Sequence, residues 1–264
     1  MKRILLLCLL LPVAAAAQTV PHYTRVLVPL YFDKPVNGAL GSVWTTQFSV
    51  YNSGSAPVQL GWCSVLSDNE ACVTPGTADS QIAAGATSTT LPAFTPAFNN
   101  AVPGRQLNFE TVSDDQLSFG LRVADTSRGG LNAGTQIPVV RERDYFQGTV
   151  RMPNVPIDSR FRLTLRVYEM GLTASAVTVR VFDQQTNALL GSHEFQLTAP
   201  TTGAFRFEPA YLQLADLSSI VPTATPLPSI VRVELEPSSK EARYWAFISI
   251  TNNETQQLTV ITPQ

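Results

Sequence analysis

Between residues 161 and 183, apolar and polar side chains alternate with a period of two. Phe161, Leu163, Leu165 and Val167 take turns with Arg162, Thr164 and Arg166. After a short loop, Val177, Val179 and Val181 take turns with Thr178 and Arg180. This alternation predicts two strands, each with one buried and one wetted face. The same pair of strands occurs earlier in the chain. Trp44, Phe48 and Val50 precede the turn Asn52-Ser53-Gly54-Ser55, and Val58, Leu60 and Trp62 follow it. A shift of 117 positions superposes the first strands and a shift of 119 the second, so one loop is two residues longer. Residues 107–110 answer 233–236 in the same way. Leu117, Phe119, Leu121 and Val123 answer Tyr244, Ala246, Ile248 and Ile250, and strands at 135–140 and 258–262 close the two halves.

The pattern therefore predicts an all-β chain of two successive units, with one large two-sheet core as the alternative. Residues 24–32, TRVLVPLYF, read as a first strand, and Pro29 marks it as an edge because proline donates nothing to a ladder. The junction VVRERDYFQG is short and charged, which restricts how the units sit relative to each other. The second unit starts with a strand near 145–152. A further strand or pair of strands covers 188–197, and 210–216 reads equally as a strand or one helical turn. PTATPLPS, 222–229, is an exposed loop.

Composition fits this picture. Nineteen prolines and 15 glycines among 264 residues supply many turns. The first 17 residues, MKRILLLCLLLPVAAAA, combine a basic start, a short apolar run and a small-residue cleavage site, which predicts a secretory leader removed after Ala17. Lys2 and Arg3 leave with it, so 16 basic side chains face 20 acidic ones, a net of −4 in 247 residues. That balance excludes the basic bias of a nucleic-acid binder. The later sequence has no apolar run long enough for a membrane helix. The expected location is the periplasm or the exterior. In such an oxidising place Cys63 and Cys72, the cysteines outside the leader, are expected to pair as a disulfide.

Candidate chemistry is sparse. The two histidines, His22 and His193, have no GxSxG elbow, HExxH or other partner motif beside them. No catalytic residue, cofactor or metal is expected. Asp114, Asp115 and Asp183 are the carboxylates a glycosidase reading would need, yet they fall in turns where aspartate is common. Asp114, Asp115 and Asp125 could also gather as calcium ligands at one end of the first unit. Asn253-Glu254-Thr255 matches a glycosylation sequon, which behind a bacterial-style leader reads as coincidence. Arg160, Arg162, Arg166 and Arg180 share the wetted face of the template strands. They suit either a ladder of ion pairs with Glu234 and Glu236 or an acidic ligand such as a polyuronate. Trp44 and Trp62 share the parity of the core. Trp245 and Phe247 have the opposite parity to Ala246, Ile248 and Ile250. They are either an exposed platform for a sugar or a contact with the neighbouring unit.

VYNSGSAPVQLGW resembles the second strand, turn and third strand of bacterial immunoglobulin-like domains. RYWAFISITNNETQQLTVITPQ is similar to the way such domains end. The resemblance implies two tandem immunoglobulin-like antiparallel β-sandwiches, at 18–142 and 143–264, in a secreted bacterial protein, and it brings no catalytic residue. TRVLVP with PVQLGW also resembles the two-domain periplasmic pilus chaperones. The chain departs from them in its cysteine pair and in IPVV, which is too short to donate a strand. The expected function is that of an exported, non-enzymatic surface-interaction or structural protein. The alternatives are a carbohydrate-binding module, with Trp245, Phe247, Arg162 and Arg166 as its platform, and a chaperone-like protein. A cell-surface protein or a polysaccharide is the expected partner.

Overall fold

The computed structural model describes residues 23–32, 34–61, 81–89, 104–110, 115–129, 133–170, 175–198, 209–222 and 227–264. The expected leader, Cys63, Cys72, Trp62, His22 and Asp114 lie outside them. Among the described residues the chain is all-β, with four antiparallel sheets and short 3-10 turns. No helix there is long and apolar enough to cross a membrane.

The N-terminal strands are β1 (Tyr23–Val28), β2 (Val36–Asn37), β3 (Val43–Asn52), β4 (Val58–Gly61), β5 (Gln81–Ile82), β6 (Thr87–Ser88), β7 (Arg105–Glu110), β8 (Leu117–Asp125), β9 (Thr135–Gln136) and β10 (Val140–Arg141). They form two sheets. One runs β10-β1-β7-β4-β5 and the other β2-β3-β8-β9, with β6 also on β3. The C-terminal strands are β11 (Val150–Pro156), β12 (Phe161–Glu169), β13 (Ala176–Asp183), β14 (Leu189–Gln196), β15 (Ala210–Leu214), β16 (Ile230–Pro237), β17 (Tyr244–Asn252) and β18 (Leu258–Ile261). Their sheets run β11-β16-β13-β14 and β15-β12-β17-β18. The pairing orders correspond: β1-β7-β4-β5 has its counterpart in β11-β16-β13-β14, and β3-β8-β9 in β12-β17-β18. No strand ladder among the described residues joins the two sets.

Alternation is visible in the burial. Leu163, Leu165 and Val167 of β12, Val177, Val179 and Val181 of β13, and Val231, Val233 and Leu235 of β16 point into one core. Burying each such side chain contributes about 1.5–3 kcal/mol. The first expectation to change is β1. It ends at Val28, before Pro29, and pairs on both sides, with β10 and β7. Pro29 terminates an interior strand and does not mark an edge. β11 begins at Val150, later than expected; between the 3-10 turn Glu142–Asp144 and this strand, Phe146 makes only an isolated bridge to Tyr244. Residues 210–214 are strand, and the single helical turn follows at Leu217–Ile220, where Asp216 accepts a hydrogen bond from the Ser218 N–H.

The two sets of sheets share a dry seam. Tyr168, Met170, Trp245, Phe247 and Leu258 belong to the same buried cluster as Val26, Leu27, Val28, Leu107 and Leu121. The Tyr168 hydroxyl donates to the carbonyl of Pro29. Gly104 permits this approach, since a Cβ there would fall 2.7 Å from the Tyr168 ring. The junction is clamped from both sides. Arg25 donates to Glu142 through Nη2 at 2.8 Å and Nε at 3.2 Å, and Arg243 Nη1 lies 3.6 Å from the same carboxylate.

Candidate functional site

β12 and β17 together build one face. Their register sets Arg162 opposite Thr251, Thr164 opposite Ser249, Arg166 opposite Phe247 and Tyr168 opposite Trp245. This outward face of the sheet changes character along its length. At one end Tyr168, Trp245 and Phe247 are buried in the seam. At the other, Arg162, Thr164, Ser249 and Thr251 form the floor of an open cleft of about 700 Å³. That size is typical of ligand sites. The opposite wall comes from the N-terminal half and is apolar: Leu30, Phe32, Trp44 and Val123.

Arg166 lies where cleft and seam meet. Its guanidinium carbon sits 5.5 Å from the centre of the Phe247 ring. Nη1 donates to Ser249 Oγ at 2.9 Å, and that hydroxyl in turn donates to the Thr164 carbonyl at 3.3 Å. Nε is buried and makes no hydrogen bond. Burial pulls the guanidinium below its ordinary pKa, with the neighbouring Tyr168 opposing. An arginine nonetheless remains cationic in proteins. Arg162 donates to Asn253 Oδ1 at 2.8 Å and to Gln256 Oε1 at 2.7 Å, both neutral acceptors. Neither arginine has a carboxylate partner among the described residues. Asp158 and Asp216 also line the cleft but are engaged elsewhere. Asp158 holds Arg160 at 2.8 Å, and Asp216 accepts from the N–H and hydroxyl of Ser218 at 2.9 and 2.6 Å.

The arginine stripe is thus divided. β12 and β13 lie in different sheets, so Arg180 alone meets the glutamates. It pairs with Glu236, while Glu234 takes Arg151 at 2.9 Å and Arg232 at 3.1 Å. The expected ion ladder exists there and leaves Arg162 and Arg166 out.

The platform of Trp245 and Phe247 needs correction. Trp245 is 4 % exposed and Phe247 fully buried, their ring centres 5.4 Å apart, so neither offers a surface to a sugar. Parity placed them rightly on the face away from the C-terminal core, but the N-terminal half covers that face. Trp44, expected to be buried, is half-buried and faces the cleft. No periodicity signal could have found it, because the cleft is made by two distant sheets.

The remaining candidates are spread apart. Asp115 pairs with Arg143 at 3.1 Å, and Asp183 accepts from the N–H groups of Gln185 and Thr186 at 2.8 Å each. Asp125 accepts from Val43 N–H at 2.8 Å and from Ser127 N–H and Oγ at 3.0 and 2.7 Å. Burial would raise its pKa; those hydrogen bonds and Arg128 outweigh it and hold the carboxyl below its ordinary range. Among the described residues no three His, Cys, Asp or Glu side chains come together as metal ligands. His193 is exposed on β14, its ring edge-on to Phe195 at 4.5 Å. Cys63 and Cys72 lie outside the described residues. No family model, curated protein or solved structure matches the chain.

Proposed function

We infer that this is an exported, non-enzymatic binding protein. It would comprise two immunoglobulin-like β-sandwiches in tandem, 18–142 and 143–264, behind a cleaved leader. The corresponding pairing orders of the two halves support the tandem reading. The observation that carries the binding reading is a pair of arginines on the floor of a cleft that, among the described residues, are in ion pairs with none of its carboxylates. A buried or half-buried cation without a counter-charge costs stability, and a ligand that supplies the charge offsets that cost. The chaperone-like alternative has less support: Val140 and Arg141 already pair with β1 and leave no long strand to donate.

The test is native mass spectrometry of the protein exported through its own leader into a bacterial periplasm. A bound species should be retained by the wild type and by Arg180→Gln, whose arginine is neutralised by Glu236. It should be lost from Arg162→Gln and Arg166→Gln. Equal retention in all four proteins would sink the cleft as the binding site. Hydrolysis of a polysaccharide panel by the wild type would sink the non-enzymatic reading.

A further inference from the structure

The chemistry of the cleft's two walls restricts what can fill it. The floor offers cationic donors. Of the five N–H groups of Arg166, one is used on Ser249, and Nε, though buried, has no acceptor. Four residues along the strand, about 13 Å away at strand rise, Arg162 is already held by Asn253 and Gln256 and adds positive field to the cleft, which leaves Arg166 as the headgroup position. The opposite wall of Leu30, Phe32, Trp44 and Val123 carries only the indole N–H as a polar side-chain group. Asp158 and Asp216 also line the cleft, the first held by Arg160 and the second by Ser218, and beside them the lining carries an apolar side chain. Leu227, on the cleft lining, is 43 % exposed. A sugar chain carries hydroxyls on all its edges and would lose water against such a wall without replacement hydrogen bonds. An acyl chain loses nothing there.

We propose that the cleft takes a singly charged amphiphile, an acyl chain ending in a carboxylate. Its headgroup sits on Arg166 within reach of Ser249, and its chain lies along Leu30, Phe32 and Trp44 to leave past Leu227. This rests on the reading of the cleft as the binding site and names the class of ligand.

The experiment titrates the full mature chain with dodecanoate below its micelle concentration, with dodecanol and with trigalacturonate, by calorimetry and by tryptophan emission. Dodecanoate should bind saturably and shift the emission, and the emission shift should fall away in Trp44→Phe. Dodecanol should bind at least about tenfold more weakly, the loss of one charge-assisted contact. Arg166→Gln should weaken dodecanoate by about tenfold or more while leaving dodecanol unchanged. Leu227→Asp, at an exposed position that folding tolerates, should weaken dodecanoate too and covers the case in which Arg166→Gln fails to fold. Equal binding of dodecanoate and dodecanol, or indifference to both substitutions, overturns the headgroup assignment. Saturable binding of trigalacturonate without dodecanoate overturns the amphiphile while keeping the cleft as a site. Binding of none of the three overturns the amphiphile, and the mass-spectrometric comparison then decides the cleft separately.

Discussion

Asn52 shows what a single residue contributes here. It is fully buried. Its Oδ1 accepts from Gly54 N–H at 2.9 Å, and its Nδ2 reaches the carbonyls of Ala56, Ile82 and Ala83 at 2.8, 3.1 and 3.3 Å. One amide thus ties the β3–β4 turn to the β5–β6 turn. Asn252 and Asp183 close their own turns through Oδ1 in the same manner, but only locally. Removing the Asn52 amide strands buried carbonyls, so Asn52→Ala should cost about 1–3 kcal/mol in urea unfolding. A loss below about 0.5 kcal/mol, the usual range of surface changes, would show that those carbonyls rehydrate freely. The turn itself was legible in Asn52-Ser53-Gly54-Ser55. The long-range half of the residue's work was not, because residues 82 and 83 come near only in the fold.

At the scale of elements, β17 is the instructive strand. From Tyr244 to Ile250 every side chain is buried, although the sequence alternates only in part. Ala246, Ile248 and Ile250 face the C-terminal core, while Trp245 and Phe247 face the seam with the N-terminal sheets. A strand sandwiched on both sides loses packing wherever it is cut back. Phe247→Ala should cost about 3–5 kcal/mol, the range for a buried phenylalanine. It should also weaken ligand capture, since Phe247 supports Arg166. Were Phe247 a solvent-facing platform, its loss would leave the unfolding midpoint nearly unchanged. β14 makes the contrast. Among the described residues it pairs only with β13, and Leu189 is 55 % exposed.

For the whole molecule, the junction holds a carboxylate that links the two halves to pH. Burial alone would raise the Glu142 carboxyl; hydrogen bonding and charge from Arg25, with Arg243 behind it, outweigh burial and hold it below its ordinary value of 4.5. A folded pKa below the unfolded one stabilises the native state at pH above the unfolded value. That contribution is lost as pH falls through the folded pKa. The melting temperature of the wild type should therefore exceed that of Glu142→Gln at neutral pH, and the gap should close as the solution is acidified below pH 4.5. A gap that persisted unchanged into strong acid would mean Glu142 acts by shape and not by charge.

The all-β character, most strand positions and the inward facing of the apolar side chains on β12, β13 and β16 were written in the sequence. Side-chain parity and turn residues act over a few positions, and a strand must obey them wherever it ends up. The chain's order of apolar and polar residues likewise separated Leu163, Leu165 and Val167 from Arg162, Thr164 and Arg166. What became of that polar face was decided by tertiary packing. The N-terminal half covers one end of it and dries Trp245 and Phe247, and it stands back from the other to leave Arg162 and Arg166 opposite Trp44. Such a cleft arises between different sheets, with Trp44 and Arg162 more than a hundred residues apart in the chain, and no local rule of hydrophobic alternation reports which wetted face will be covered.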